Sequence, residues 1–397
     1  MAQTQLQLDL NNLSYDPDTD VSVAIQRQLQ SRYADKSSYA SGEQMNIKLS
    51  GRQFIDAKNS SLYFRFKNTA DFQFGAEVGS SLNLFSRVRI LAPDGSCISD
   101  LLHANAYSAI SQKLYQSKPY TDAIGGVYGL GENIATGAGI YTYSVPLRMI
   151  SPFFDTDKLL PPQLTDGMTI EIYLESKEQA LLGAGDYSLD GVEVVLDTIR
   201  VADGVLNNIM SRPMTYEFTD VVQNASTMSA AVGQIYYEVP RSLTNATSAI
   251  ALLRVSTNQD NTATSGFLFI GPKVDLETVT ANDEMEWRVG STLLPQQRAV
   301  DGIKIYNAML NARGVIANGT PEFNAPRSTL FETTYGVYMC DLNRSRLYNN
   351  SGRELSNGQR LSIYIKQSVA ANYIVDVFVK FVCRVVMKEN GRFEVEQ

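Results

Sequence analysis

Histidine and cysteine are nearly absent from this chain, and it has no strongly basic or long apolar stretch. Its 397 residues include one histidine, His103, three cysteines and one tryptophan. A Ser-His-Asp triad would have to use that one histidine, and a multi-histidine metal site or the pair of H-E-x-x-H is excluded. Cys97, Cys340 and Cys383 are odd in number and show no C-x-x-C spacing. Structural zinc and a disulfide framework are therefore poor readings, and the cysteines are expected as small apolar residues in strands. With 34 Lys+Arg against 42 Asp+Glu the net charge is -8, the wrong sign for coating phosphates, so no direct sequence-specific nucleic-acid partner is expected. The N-terminus lacks a basic run followed by an apolar one, so no secretory signal is expected. No window approaches the ~18 apolar residues of a membrane span. The Asn-x-Ser/Thr triplets at Asn59, Asn224, Asn245, Asn318 and Asn343 are then chance features of an Asn- and Ser-rich chain.

The length predicts two to three domains at roughly 150 residues each. Residues 1–40 read as an N-terminal arm. Asp16, Asp18 and Asp20 alternate as in a calcium loop, but Val21 stands where glycine is needed and Arg27 where the bidentate Glu belongs. Calcium is rejected. Asp20 fits better as a helix N-cap, because Val21, Ile25, Leu29 and Tyr33 follow at a spacing of four. A short amphipathic helix that docks on another surface is expected there.

From about residue 41 the hydrophobic period becomes two. Ile47 and Leu49, then Leu62, Phe64 and Phe66, then Val88 and Ile90, then Ile170, Ile172 and Leu174 alternate with polar neighbours, as half-buried antiparallel strands do. Asp100 to Gln116 departs from this. Its Leu101, Leu102, Ala106, Ile110 and Leu114 lie near helical spacing and predict a helix.

An internal repeat organises the rest. Leu164 to Leu174, with Gly167, matches Leu355 to Ile365, with Gly358, position for position. Tyr107 to Ile110 likewise matches Tyr306 to Met309, Tyr187 to Asp190 matches Tyr373 to Asp376, and Pro93 precedes the first copy as Pro295 precedes the second. The anchors keep their order while the offset drifts, as small loop deletions would make it do. The chain is therefore read as two tandem copies of one all-β unit, residues 41–212 and 213–397. An open sheet of that size would leave long edges, so each unit is expected to be an eight-stranded jelly roll with short helices in its loops.

With that duplication the chain resembles the double jelly-roll major capsid proteins of viruses, and is most similar to those of virophages, Polinton-like viruses and adintoviruses. The resemblance lies in Trp287-Arg288-Val289-Gly290-Ser291 leading to Pro295-Gln296-Gln297, the helix around Tyr306, Arg344-Ser345, Ser351-Gly352 and the final strand Val377 to Met387. In the first unit it lies in Val145-Pro146-Leu147, Pro152-Phe153-Phe154 and Leu159-Leu160-Pro161. It implies a homotrimer whose six jelly rolls form a pseudo-hexameric capsomer of an icosahedral virion shell. It also implies penton and minor capsid proteins as partners, no cofactor and no enzymatic activity.

Candidate assembly contacts are Val21, Ile25, Leu29 and Tyr33 on the arm, and Trp287 and Arg288 in the second unit. Trp287 is expected to anchor a core or a contact between subunits, and Arg288 to pair with Glu284 or Glu286. His103 is expected as a solvated or capping side chain, and Gly125 to Gly131 as a loop. Asp155 and Asp157 are expected in a solvated turn. The alternative functions are a glycan-binding jelly roll and, behind it, a glycan hydrolase that would need a carboxylate pair converging across strands.

Overall fold

A computed structural model describes residues 26–396, except 75–78, 131–132, 135–137, 182–184, 230–233, 256–283, 301, 315–336, 345–351, 357, 367–371 and 389–391. The strands of the first half are β1 (Gln26–Tyr33), β2 (Ser38–Ala40), β3 (Gln44–Lys48), β4 (Phe54–Asn68), β5 (Phe72–Gln73), β6 (Phe85–Leu91), β7 (Cys97–Leu102), β8 (Asn133–Ile134), β9 (Gly139–Pro146), β10 (Thr169–Leu174) and β11 (Tyr187–Arg200). Those of the second half are β12 (Met214–Ser229), β13 (Gln234–Glu238), β14 (Ala246–Val255), β15 (Glu284–Val289), β16 (Thr292–Val300), β17 (Val337–Asp341), β18 (Leu361–Lys366), β19 (Asn372–Met387) and β20 (Phe393–Glu396). The longer helices are α1 (Ala104–Tyr115), α2 (Lys118–Ile124), α3 (Asp203–Met210) and α4 (Gly302–Ala312).

Sheet order makes the duplication explicit. The first half forms β1-β11-β4-β9, with β2 also on β11, facing β3-β10-β6-β7. The second forms β12-β19-β14-β17, with β20 also on β19, facing β13-β18-β15-β16. Taken in chain order the two halves match strand for strand, and all these pairings are antiparallel. The period of two acts as expected: Ile170, Ile172 and Leu174 of β10 point into one core, and Leu361, Ile363 and Ile365 of β18 into the other. Gly167 and Gly358, which open these strands, have φ of +104° and +85°, a region that favours glycine.

Three other anchors of the repeat hold in part. Tyr107 and Tyr306 occupy matching helices, α1 and α4, and Tyr187 and Tyr373 begin matching strands, β11 and β19. Pro93 and Pro295 are not equivalent: the first lies in the β6–β7 turn and the second inside β16. The residue that matches the first turn is Gly290, φ +57°, as the counterpart of Gly95, φ +86°.

The arm is corrected. Gln26–Tyr33 is a strand rather than a helix, paired with β11 from Gln26 opposite Arg200 to Tyr33 opposite Glu193, and β2 also pairs with β11. Residues 26–40 thus belong to the first unit's sheet. Spacing of four did not discriminate, because residues four apart share a face in a strand as well as in a helix, and polar Gln28 and Arg32 stand at the i+3 positions after Ile25 and Leu29. The second expected helix starts late. Asp100 to Leu102 completes β7, and α1 begins only at Ala104, after His103 turns the chain at φ 48°.

Candidate assembly surfaces

The two units meet where the β7–α1 edge of the first abuts the outward face and β12 edge of the sheet β12-β19-β14. The apolar part of the junction follows from a short helical turn, Pro152–Phe154, in the first unit. Phe153 packs edge-on against Phe218 of β12 at 4.9 Å between ring centroids, and Tyr107 of α1 lies 5.5 Å from Phe378 of β19. Phe153 and Phe378 are buried. An aromatic pair of this kind contributes about 0.5–1.5 kcal/mol beyond the area it buries.

A polar cluster sits beside it. Asp376 on β19 is fully buried, and its Oδ2 accepts from Arg254 Nε of β14 at 2.6 Å. Its Oδ1 accepts from Gln223 Nε2 of β12 and lies 2.7 Å from Nδ1 of His103, in the first unit. The same Nδ1 also lies 3.0 Å from Arg254 Nη2 and 3.3 Å from Gln223 Nε2. Burial pushes the Asp376 carboxyl up, but the Arg254 guanidinium and His103 outweigh it and hold the group below its ordinary value. The single histidine stands at the N-cap position of α1, as expected, but its side chain makes no cap bond and its partly exposed ring spans the two units instead.

A second buried carboxylate has a different environment. Asp220 of β12 accepts from the Ser99 hydroxyl of β7 at 2.8 Å. Its side chain has no cationic partner among the described residues, and burial pushes its pKa to about 7.

The outward faces of the other two sheets carry ion ladders of reversed polarity. In the first unit the cations stand on the central strand: Arg87 of β6 holds Asp100 of β7 at 2.7 and 2.6 Å, and Arg89 holds Glu171 of β10 at 2.8 Å. In the second unit the anions do. Glu284 and Glu286 of β15 are held by Arg298 of β16 at 2.9 and 2.6 Å, Glu284 also by Lys366 of β18 at 2.9 Å, and Glu286 also by Arg288. Such half-exposed pairs are each worth about 0–1 kcal/mol. Lys366 and Arg298 hold Glu284 below its ordinary pKa, as Arg298 and Arg288 do Glu286 against burial.

The sequence candidates separate cleanly. Val21 and Ile25 lie outside the described residues. Leu29 and Tyr33 project outward from β1 and are 70% and 71% exposed. Trp287 is 0% exposed inside the second core, so it anchors that core and cannot serve as a surface contact of the folded chain. Arg288 is half exposed and pairs with Glu286 as its spacing suggested. Asp157 pairs with Lys58, and Asp155 is exposed. Cys340 and Cys383 are buried strand residues, burial raising the Cys383 thiol to about 12, whereas Cys97 is exposed. Among the described residues no cluster of His, Cys, Asp and Glu could hold a metal ion, and no helix is long and apolar enough to cross a membrane. Asp220, Gln223, Arg254 and Asp376 were missed. Their signal was available: Arg254 and Asp376 are lone, opposite charges inside otherwise apolar strand runs.

No protein family and no curated protein matches the sequence. Solved structures do match. A chain of the PBCV-1 virus capsid is 9% identical with a TM-score of 0.65, covering 97% of this chain and 99% of that one. The faustovirus major capsid protein is 8% identical with a TM-score of 0.65, covering 93% and 92%. The mavirus major capsid protein is 9% identical with a TM-score of 0.51, covering 96% and 93%. These likenesses run through both units. The chain has the double jelly-roll fold. Nothing in these likenesses supports the glycan-binding alternative. Among the described residues, the junction just described is the one place where such an edge meets a neighbouring sheet face, and the matching edge and face are not covered by other described residues.

Proposed function

We propose that this double jelly roll is a major capsid protein, a structural, non-enzymatic subunit that closes with two further copies into a trimer of six jelly rolls in a virion shell. The internal junction carries this reading. The first unit's β7–α1 edge covers the outward face of β12-β19-β14, so the duplicated architecture has two counterparts that are open among the described residues. One is the outward face of β1-β11-β4-β9, where Leu29, Tyr33 and Ile140 are 70%, 71% and 64% exposed. The other is the end of β16 and start of α4, where Val300 and Ile303 are 46% and 50% exposed. These positions match the covered surfaces: Asp190 on the open face is the repeat partner of Asp376, and Ile303 follows β16 as Ala104 follows β7. Repeating the internal contact between copies brings edge to face and closes a ring, which is how a heterologous contact ends in a closed symmetric oligomer.

Obligate interfaces of this kind bury about 2,000 Å² or more, and they draw on exposed apolar side chains such as these. Penton and minor capsid proteins are further partners under the same reading. The test is light scattering on the purified chain. A species of three times 43.9 kDa is expected, and Leu29→Asp with Tyr33→Asp should reduce it to monomer with the far-UV spectrum unchanged. A native chain that stays monomeric across salt and concentration would refute the reading.

A further inference from the structure

A cleft of about 320 Å³ opens at the seam between the units, where Tyr115 and Gln116 of the first meet Thr219 and Lys380 of the second. Small-molecule sites begin at about that volume. Arg148 and Asp155 also line it. Arg148 lies 4.8 Å over the Tyr120 ring and donates to that hydroxyl, and Lys380 lies 5.0 Å from the Tyr115 ring, which Arg313 approaches to 4.0 Å. Arg313 also donates to the Leu114 carbonyl at 2.6 Å. None of these three cations forms an ion pair with a carboxylate among the described residues. Asp155 is the one carboxylate lining the cleft, so three cations against one anion leave two positive charges in excess. In a half-buried seam their mutual repulsion is several times stronger than in water. Beside them the Gln116 Oε1 atom is buried and accepts from no described donor.

We propose that the seam cleft binds a phosphate monoester of a hydroxylated body, the class of sugar and polyol phosphates. A phosphate monoester carries about -1.5 to -2 charges at pH 7 and three strong acceptor oxygens, which matches the excess that a single carboxylate would only halve. Arg148 and Lys380 donate charge-assisted hydrogen bonds to it, one from each unit. A hydroxyl of the body donates to Gln116 Oε1. The walls favour such a body over a nucleobase, because the aromatic rings are already engaged: Tyr115 and Tyr120 by the cations, and Tyr107 by Phe378. Since Arg148 precedes the boundary between the units and Lys380 follows it, the bound ligand ties the two jelly rolls together. The proposal goes beyond the capsid reading and does not depend on it.

Isothermal titration calorimetry of the full chain with glycerol 3-phosphate, inorganic phosphate and acetate, at constant ionic strength, tests it. One site per chain is expected, with glycerol 3-phosphate bound at least about tenfold more tightly than acetate. Arg148→Met and Lys380→Met should each weaken that binding at least about tenfold, and Gln116→Met should erase the preference for the glycerol ester over inorganic phosphate. A second measurement needs no variant. Glycerol 3-phosphate should protect Lys380 of the native chain from acetylation by acetic anhydride, read by mass spectrometry, while the exposed Lys118 reacts as before. Absence of binding, equal affinity for acetate, unchanged affinity in both cation variants, or unprotected Lys380 would overturn the proposal. So would inorganic phosphate bound as tightly as the ester by the native chain.

Discussion

Replacing Asp220 by Asn isolates the cost of a buried carboxylate that lacks a cation. Asp220 is 3% exposed, its Oδ1 takes one hydrogen bond from Ser99, and burial lifts its pKa from the ordinary 3.8 to about 7. The Asp100 charge nearby is a smaller part of that rise, which the hydrogen bonds from Ser99 and the Val221 N–H oppose. The folded state therefore holds the Asp220 proton more tightly than the unfolded state does. Its contribution to stability is complete below about pH 4, is lost progressively as pH rises toward 7, and is constant above that. A shift of about three units at 1.36 kcal/mol each makes the loss roughly 4 kcal/mol. Asparagine keeps an acceptor for Ser99 and cannot ionise. Asp220→Asn should accordingly match the native chain within about 1 kcal/mol at pH 4.5 and exceed it by roughly 2–4 kcal/mol at pH 8. The assay is urea unfolding of both chains at one protein concentration from pH 4.5 to 8.5. Every other titration is common to both proteins and cancels in the difference. A difference that does not change with pH, or a variant less stable than native at pH 8, would refute the reasoning.

Removing the cation from the other buried carboxylate should act in the opposite direction. Arg254→Met leaves Asp376 fully buried beside only His103 and Gln223, and should cost about 3–5 kcal/mol in chemical unfolding, with Asp376→Asn in the same chain recovering much of it. Gly167→Ala should destabilise by about 1–3 kcal/mol, because φ is +104° and a Cβ would stand 3.2 Å from Pro93 Cβ, and thermal melts read this directly. Phe153→Ala removes the aromatic wedge between the units and should lower stability by about 3–5 kcal/mol. If the two units unfolded in a single transition before and after that change, with unaltered midpoint, the wedge would have no energetic role.

Much of the fold was legible because its signals are local. Alternation at Ile170, Ile172 and Leu174 fixed which face of β10 is buried, and the repeated Asp/Asn-Gly turns at Gly167 and Gly358 marked the same strand twice. The failures have definite causes. At Leu29 and Tyr33 the spacing fitted two periods, and the choice fell to β11, a strand over 150 residues away in the chain. Pro93 and Pro295 matched by residue type alone, whereas the turn itself is defined by Gly95 and Gly290. Trp287 was ambiguous between core and contact because an indole serves either, and only its place inside the β15 sheet decides. The assembly surface was the least legible part: no local pattern distinguishes Ile303, half exposed on α4, from Ile305, buried two residues on.

The sequence by itself determined an acidic chain poor in catalytic side chains, its all-β class and its duplication, because hydrophobic period, turn glycines and repeat order are properties of neighbouring residues. Tertiary structure alone decided which polar groups became partners. His103 and Asp376 are 273 residues apart, and neither carries a mark of the other. Their contact exists because two separately folded sheets pack edge to face, and burial at that seam forces each charge there to find a counterpart or to shift its pKa.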